Sequence, residues 1–334
     1  MILAAADNPG GLNSILPVVK RLKNEGEVVT FVAGGASIDI LNKEGIDFIS
    51  EVDFTNKMLE EIFKRRPKVF LAGTSLGNTI DKKLLVQCKS DGIPSVYVLD
   101  YWANYLDRFS NEKNDLKFLP DYICVMDERS KKEMIQDGFD ENKLVITGNP
   151  YFDEFTKGIT GDGNRQIILF ISQPMDGYDY GYREENVLSD VLEIIQNKIN
   201  DGISLSLKVR LHPRESKGKF DSIISNYDFA GYDFDYLEHS LSESGLIIGM
   251  NSMVLFQASL AGKIVISYQP NLKVKDMLLS NDSGLSILIK NKDDLEKVFS
   301  QYLEDKLESR IKSSNITIKN ATDKVINFIN KVAI

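Results

Sequence analysis

The chain has 334 residues, 43% of them hydrophobic and 27% charged, with a formal net charge of −9. That length suits two cores of about 150 residues each, and the acidic balance excludes nucleic acid as the main partner. The two cysteines, Cys88 and Cys124, and the two well-separated histidines argue against a disulfide framework and against a His/Cys metal centre, so neither metal nor cofactor is expected.

Residues 1–6 are apolar but lack a basic leader and stop at Asp7, so they read as a buried first strand. No run approaches the ~20 apolar residues of a membrane span, and a cytoplasmic location is the expectation. A helix over 12–24 follows, with Leu12, Ile15, Leu16, Val19 and Leu22 on one face. Strands are predicted at 28–33, 48–49, 69–72, 95–99, 123–126 and 145–146, with helices reaching Lys43 and covering 58–63 and 79–89. Such alternation implies a parallel sheet with right-handed crossovers. A Gly, Thr, Asp and Asn-rich stretch at 158–165 reads as a hinge. Alternation restarts with strands at 167–171, 205–211, 246–250, 264–267 and 285–289, and helices at 184–198, 253–261, 293–307 and 318–332. The expectation is an α/β protein with two doubly wound, Rossmann-like domains facing a cleft: 1–157, 158–310, and a C-terminal helix over 311–334 that packs back on the first domain. Its lysines Lys319, Lys324 and Lys331 fit a solvated face; peripheral attachment to a membrane is the lesser reading.

In an open parallel sheet, ligands bind beyond the carboxyl ends of the strands. In the second half those ends carry Ser172-Gln173, then His212-Pro213-Arg214-Glu215, then Asn251-Ser252 ahead of a helix. A helix start offers free N–H groups and a positive dipole end to a phosphate, and arginine keeps its charge. These residues are candidates for holding a nucleotide. The bland alternatives are a structural turn at His212-Pro213, an ordinary N-cap at Asn251-Ser252 and a surface pair between Arg214 and Glu215.

In the first half the ends carry a glycine loop with Gly10, Gly11 and Asn13, then Thr74-Ser75, then an aromatic-rich segment with Trp102, Asn104 and Arg108. The spacing is not that of a dinucleotide fingerprint. Aromatic faces beside hydrogen-bonding groups suit a sugar ring, so these are candidates for binding a carbohydrate or glycoconjugate acceptor. Asp7 and Asp100 are the candidate bases. His212 is a third catalytic candidate.

Residues 120–127, Gly138 and Thr147-Gly148-Asn149-Pro150-Tyr151-Phe152-Asp153 resemble the end of the first domain in GT-B glycosyltransferases. The second half, with 170–174 and the His-Pro and Asn-Ser turns, is similar to the nucleotide-sugar domain of that fold. Bacterial sialyltransferases and related users of CMP-sugars carry an HP motif and a later serine motif, which implies that His212 and Ser252 contact the donor phosphate. The acidic-acidic-glycine motif of those enzymes is absent, as are the E-x-x-H and His-Arg patterns of hydrolysing UDP-sugar 2-epimerases. The resemblance implies a metal-independent glycosyltransferase of surface polysaccharide or glycoconjugate assembly, with a CMP-sugar preferred and a UDP-sugar the other donor. Its rivals are a UDP-sugar epimerase or hydrolase, a CDP-glycerol-type transferase, and an inactive subunit of the same fold.

Overall fold

The computed structural model describes residues 1–111, 115–176, 179–309 and 320–333. The start of the expected last helix, at 318–319, lies outside them. Two compact units emerge: Met1–Glu154 with the C-terminal helix, and Phe155–Ile316.

Unit 1 runs β1 (Ile2–Ala6), α1 (Pro9–Asn24), β2 (Val29–Ala33), α2 (Ser37–Lys43), β3 (Ile49–Ser50), α3 (Asn56–Lys64), β4 (Val69–Gly73), α4 (Ile80–Ser90), β5 (Ser95–Val98), α5 (Tyr105–Phe109), β6 (Tyr122–Val125), α6 (Glu128–Gln136), β7 (Leu144–Ile146) and the start of α7 (Pro150–Lys157). The sheet is parallel with order β3-β2-β1-β4-β5-β6-β7. β1 and β4 are apolar throughout and wholly buried, the pattern of strands covered on both faces.

The first helix starts at Pro9, three residues earlier than the apolar spacing suggests. Proline is well suited to the first helical turn, where its missing N–H costs nothing. Gly10, Gly11 and Asn13 therefore belong to the first turns of α1 and form no loop. A Cβ on Gly11 would lie 3.1 Å from the backbone of Gly73, so this glycine lets α1 lie hard against the end of β4. The apolar face of α1 also receives Val325, Ile326 and Ile329 of the C-terminal helix.

Unit 2 runs β8 (Asn164–Ile171), α8 (Glu184–Asn200), β9 (Ser206–Arg210), α9 (Asp221–Ile224), β10 (Ala230–Tyr232), α10 (Leu237–Glu243), β11 (Ser244–Gly249), α11 (Met253–Leu260), β12 (Ile264–Tyr268), α12 (Leu279–Asp282), β13 (Ile287–Ile289) and α13 (Lys292–Leu303), with α14 (Ala321–Val332) returning to unit 1. Its parallel order is β10-β9-β8-β11-β12-β13. β8 begins at Asn164, inside the glycine-rich stretch. The ammonium of Lys263 reaches the same stretch and donates to the carbonyls of Gly161, Ser242 and Ser244 at 3.0, 2.9 and 3.2 Å. Both strand orders reverse direction once, between β1 and β4 in unit 1 and between β8 and β11 in unit 2. Those reversals are the topological switch points at which this architecture binds ligands.

Candidate functional site

In unit 2, Arg210, Ile171 and Gly249 sit in one row across β9, β8 and β11. The polar residues after them therefore stand side by side at the switch point, on strands spaced about 4.8 Å apart. His212 forms a tight turn with Glu215, whose N–H donates to the His212 carbonyl at 2.8 Å. The backbone N–H of Arg214 donates to His212 Nδ1 at 3.1 Å. With Nδ1 accepting, the neutral ring carries its proton on Nε2 and offers a donor.

Arg214 is exposed, and no ion pair of its guanidinium is seen among the described residues. Ser252 caps α11, accepting from the Val254 N–H at 3.3 Å. Ser172 donates its proton to Glu215 at 2.9 Å, so it meets a ligand only through its lone pairs. Gln173 Oε1 and Asn251 Oδ1 are buried and have no hydrogen-bond partner among the described residues. Two such oxygens on neighbouring strand ends are costly unless a ligand or ordered water supplies donors.

In unit 1, Asp7 follows β1 and lies at the amino end of α4, its Oδ2 3.5 Å from the Ile80 N–H. Burial pushes its carboxyl up; the Ile80 amide opposes this, and the nearby charge of Glu51 adds to it. A Cβ on Gly34 would stand 2.5 Å from Asp7 Oδ2 and 2.7 Å from Glu51 Oε2, so the two carboxylates approach each other over the bare backbone after β2. Lys83 pairs with Glu51 at 2.6 Å. Asp7 is thus a partly shielded carboxylate.

Asp100 sits differently. Its Oδ1 accepts from Thr74 Oγ1 at 2.5 Å and forms an ion pair with buried Arg108. Arg108 also donates to the Ala103 carbonyl at 3.0 Å. Thr74, Asp100 and Arg108 thus tie β4 to β5, and a short helix, α5, occupies part of the segment expected as a loop. Asn104 precedes that helix with a left-handed φ of 56° and is exposed. Ser75 donates to the fully buried Asp81 at 2.7 Å. Trp102 donates its indole N–H to Asp127 at 2.8 Å and stacks on Phe152. Asn13, on α1, makes no side-chain hydrogen bond among the described residues.

Two features were not drawn from the sequence. Glu215, whose bland alternative is a surface pair with Arg214, has a buried side chain that accepts from three residues; the turn-forming Pro213 two places earlier is the available signal. His239, far from His212 in the chain, has Asp235 and Glu243 one turn away on either side, with donor atoms all within 4.8 Å. Lys208 already inserts its ammonium among them, 2.7 Å from Glu243.

No protein-family model and no curated protein matches the chain. Solved structures do. UDP-GlcNAc 2-epimerase from Neisseria meningitidis bound to UDP-GlcNAc aligns with a TM-score of 0.72 at 14% identity, over 99% of this chain and 99% of that one. UDP-GlcNAc 2-epimerase from Methanocaldococcus jannaschii aligns at 0.70 and 15%, over 99% and 100%. The glycotransferase of kitacinnamycin aligns at 0.59 and 12%, over 99% and 95%. At these identities the likeness establishes the architecture: two parallel Rossmann-like sheets of the GT-B type.

Proposed function

We propose that the protein is an enzyme acting on a UDP-linked amino sugar, of the 2-epimerase type. The observation that carries this reading is the pair of buried amide oxygens of Gln173 and Asn251, without a hydrogen-bond partner among the described residues, at the β8–β11 switch point, with the His212 turn following the neighbouring strand β9. Hydroxyl and N–H groups of a nucleoside would satisfy the two oxygens. His212, Arg214 and the amino end of α11 supply positive character for the diphosphate, which gains charge as its bond to the sugar breaks. Several structural neighbours are UDP-GlcNAc 2-epimerases, which supports a UDP-sugar over the CMP-sugar expected from the sequence.

Inverting C2 requires breaking the C2–H bond and reforming it on the opposite face. Asp7 of unit 1 is a carboxylate whose burial favours taking up such a proton. The electron pair of the C2–H bond then becomes the C1–C2 double bond as UDP departs with the C1–O electrons; return of UDP to C1 and of a proton to the opposite face of C2 completes the inversion. His212 and Arg214 stabilise the leaving diphosphate.

Incubation with UDP-GlcNAc in deuterated water tests the reading. The expected result is loss of the C2 proton signal with deuterium incorporated at that carbon, abolished in Asp7→Asn. Retention of the C2 proton under enzyme concentrations that bind UDP would overturn it. The second reading is glycosyl transfer, favoured by the kitacinnamycin neighbour and by Trp102 near the β5 end. Its mark is UDP or CMP release that requires an added carbohydrate acceptor. No described helix is long and apolar enough to cross a membrane.

A further inference from the structure

The carboxylate of Glu215 lies beneath the His212 turn with its side chain only 2% exposed. Its Oε2 accepts the backbone N–H of His212 at 2.7 Å. Its Oε1 accepts the Ser172 hydroxyl at 2.9 Å and the Lys219 ammonium at 2.8 Å. Lys219 in turn forms an ion pair with buried Glu184 at the start of α8. The Glu215 N–H meanwhile bonds the His212 carbonyl, so the four-residue turn is closed by main chain and side chain together. Proline at the second position of the turn fixes its φ in advance.

A buried carboxylate needs its lone pairs met as well as its charge paired. This one spends two further acceptor positions on the strand-end segments that carry His212 and Ser172. We propose that Glu215 is the positioning residue of the nucleotide site, locking the turn in which the Arg214 N–H engages His212 Nδ1, so that the imidazole presents Nε2–H to the diphosphate. The inference rests on the nucleotide reading given above only for the identity of the ligand; the orientation of His212 is a property of the free protein. Glutamine at this position has one acceptor oxygen in place of two and turns an amide donor toward groups that are themselves donors, so at least one of the three contacts must open.

Long-range ¹H–¹⁵N spectra of the unliganded protein read the His212 tautomer directly. His239 is the only other histidine, so a His239→Gln variant makes the assignment. The expected wild-type spectrum shows the proton on Nε2. In Glu215→Gln the Nδ1–H form grows in, while UDP affinity by calorimetry falls by about tenfold or more, the loss ordinary for a hydrogen bond to a charged group. Glu215→Asp, which keeps the charge for Lys219 but is one methylene too short to span both His212 and Ser172, shifts the spectrum the same way and serves if the glutamine variant does not fold. A wild-type proton on Nδ1, or a folded variant with an unchanged His212 spectrum, overturns the proposal. Absence of UDP binding by the wild type overturns the nucleotide reading instead and leaves the spectral test of Glu215 intact.

Discussion

Replacing Lys263 by methionine tests how unit 2 is held together below its sheet. Lys263 is 2% exposed, and its ammonium donates to the carbonyls of Gly161, Ser242 and Ser244, with no carboxylate in hydrogen-bond reach among the described residues. Methionine fills a similar volume and removes the charge. The Gly161 carbonyl belongs to an exposed residue and regains water; those of Ser242 and Ser244 belong to more buried ones. An orphaned buried acceptor costs about 1–3 kcal/mol. Against this, methionine relieves the burial that pushes the Lys263 ammonium down from its ordinary pKa. The net expectation is a loss of about 2–4 kcal/mol, read as a lower urea midpoint with an unchanged slope by far-ultraviolet circular dichroism. Trp102, the single tryptophan, lies in unit 1, so its fluorescence transition should move less. A variant as stable as wild type would refute the reasoning, because the three bonds would then merely cancel the cost of burying the charge.

Asp7→Asn should raise stability at neutral pH while removing activity. Burial lifts the Asp7 carboxyl above its usual 3.8, so its contribution to stability is full below that value and is lost as pH rises through the raised one. The urea midpoints of variant and wild type should therefore converge as the pH is lowered toward 4. Gly34→Ala should fold, since its backbone is not left-handed, but should push Asp7 and Glu51 from their places and lower turnover of UDP-GlcNAc more than UDP affinity. Both thiols should resist a thiol reagent until urea unfolds unit 1. Each is buried; desolvation pushes Cys124 up to about 12 and raises Cys88 further.

The architecture was legible because buried parallel strands announce themselves. Ile2–Ala6, Val69–Gly73 and Ser244–Gly249 are nearly unbroken apolar runs, and the helices between them carry one apolar face. No apolar pattern marks β10 or α10: Ala230–Tyr232 is a three-residue strand with no buried residue, and Leu237–Glu243 buries only Ser240 and Leu241. α1 starts ahead of its apolar spacing because Pro9 opens the first turn despite the two glycines that follow. Among the site residues, strand-end position could be read from sequence, but partnership could not. Asp100 and Arg108 stand eight residues apart on either side of a helix start, and only the fold brings guanidinium to carboxylate. Glu215 looked like a surface charge because its acceptor role depends on β8 lying next to β9, a pairing across 43 residues of chain. The unmet oxygens of Gln173 and Asn251 likewise exist only once β8 and β11 are neighbours.

The most direct test of the central claim is a thermal-shift titration of the protein with UDP, CMP, CDP and GDP, since a ligand that binds only the folded state must raise the melting temperature. The account predicts a saturable shift with UDP that is lost in His212→Ala and reduced in Asn251→Ala. A shift with CMP and none with UDP, or a UDP shift that survives both substitutions, would contradict it.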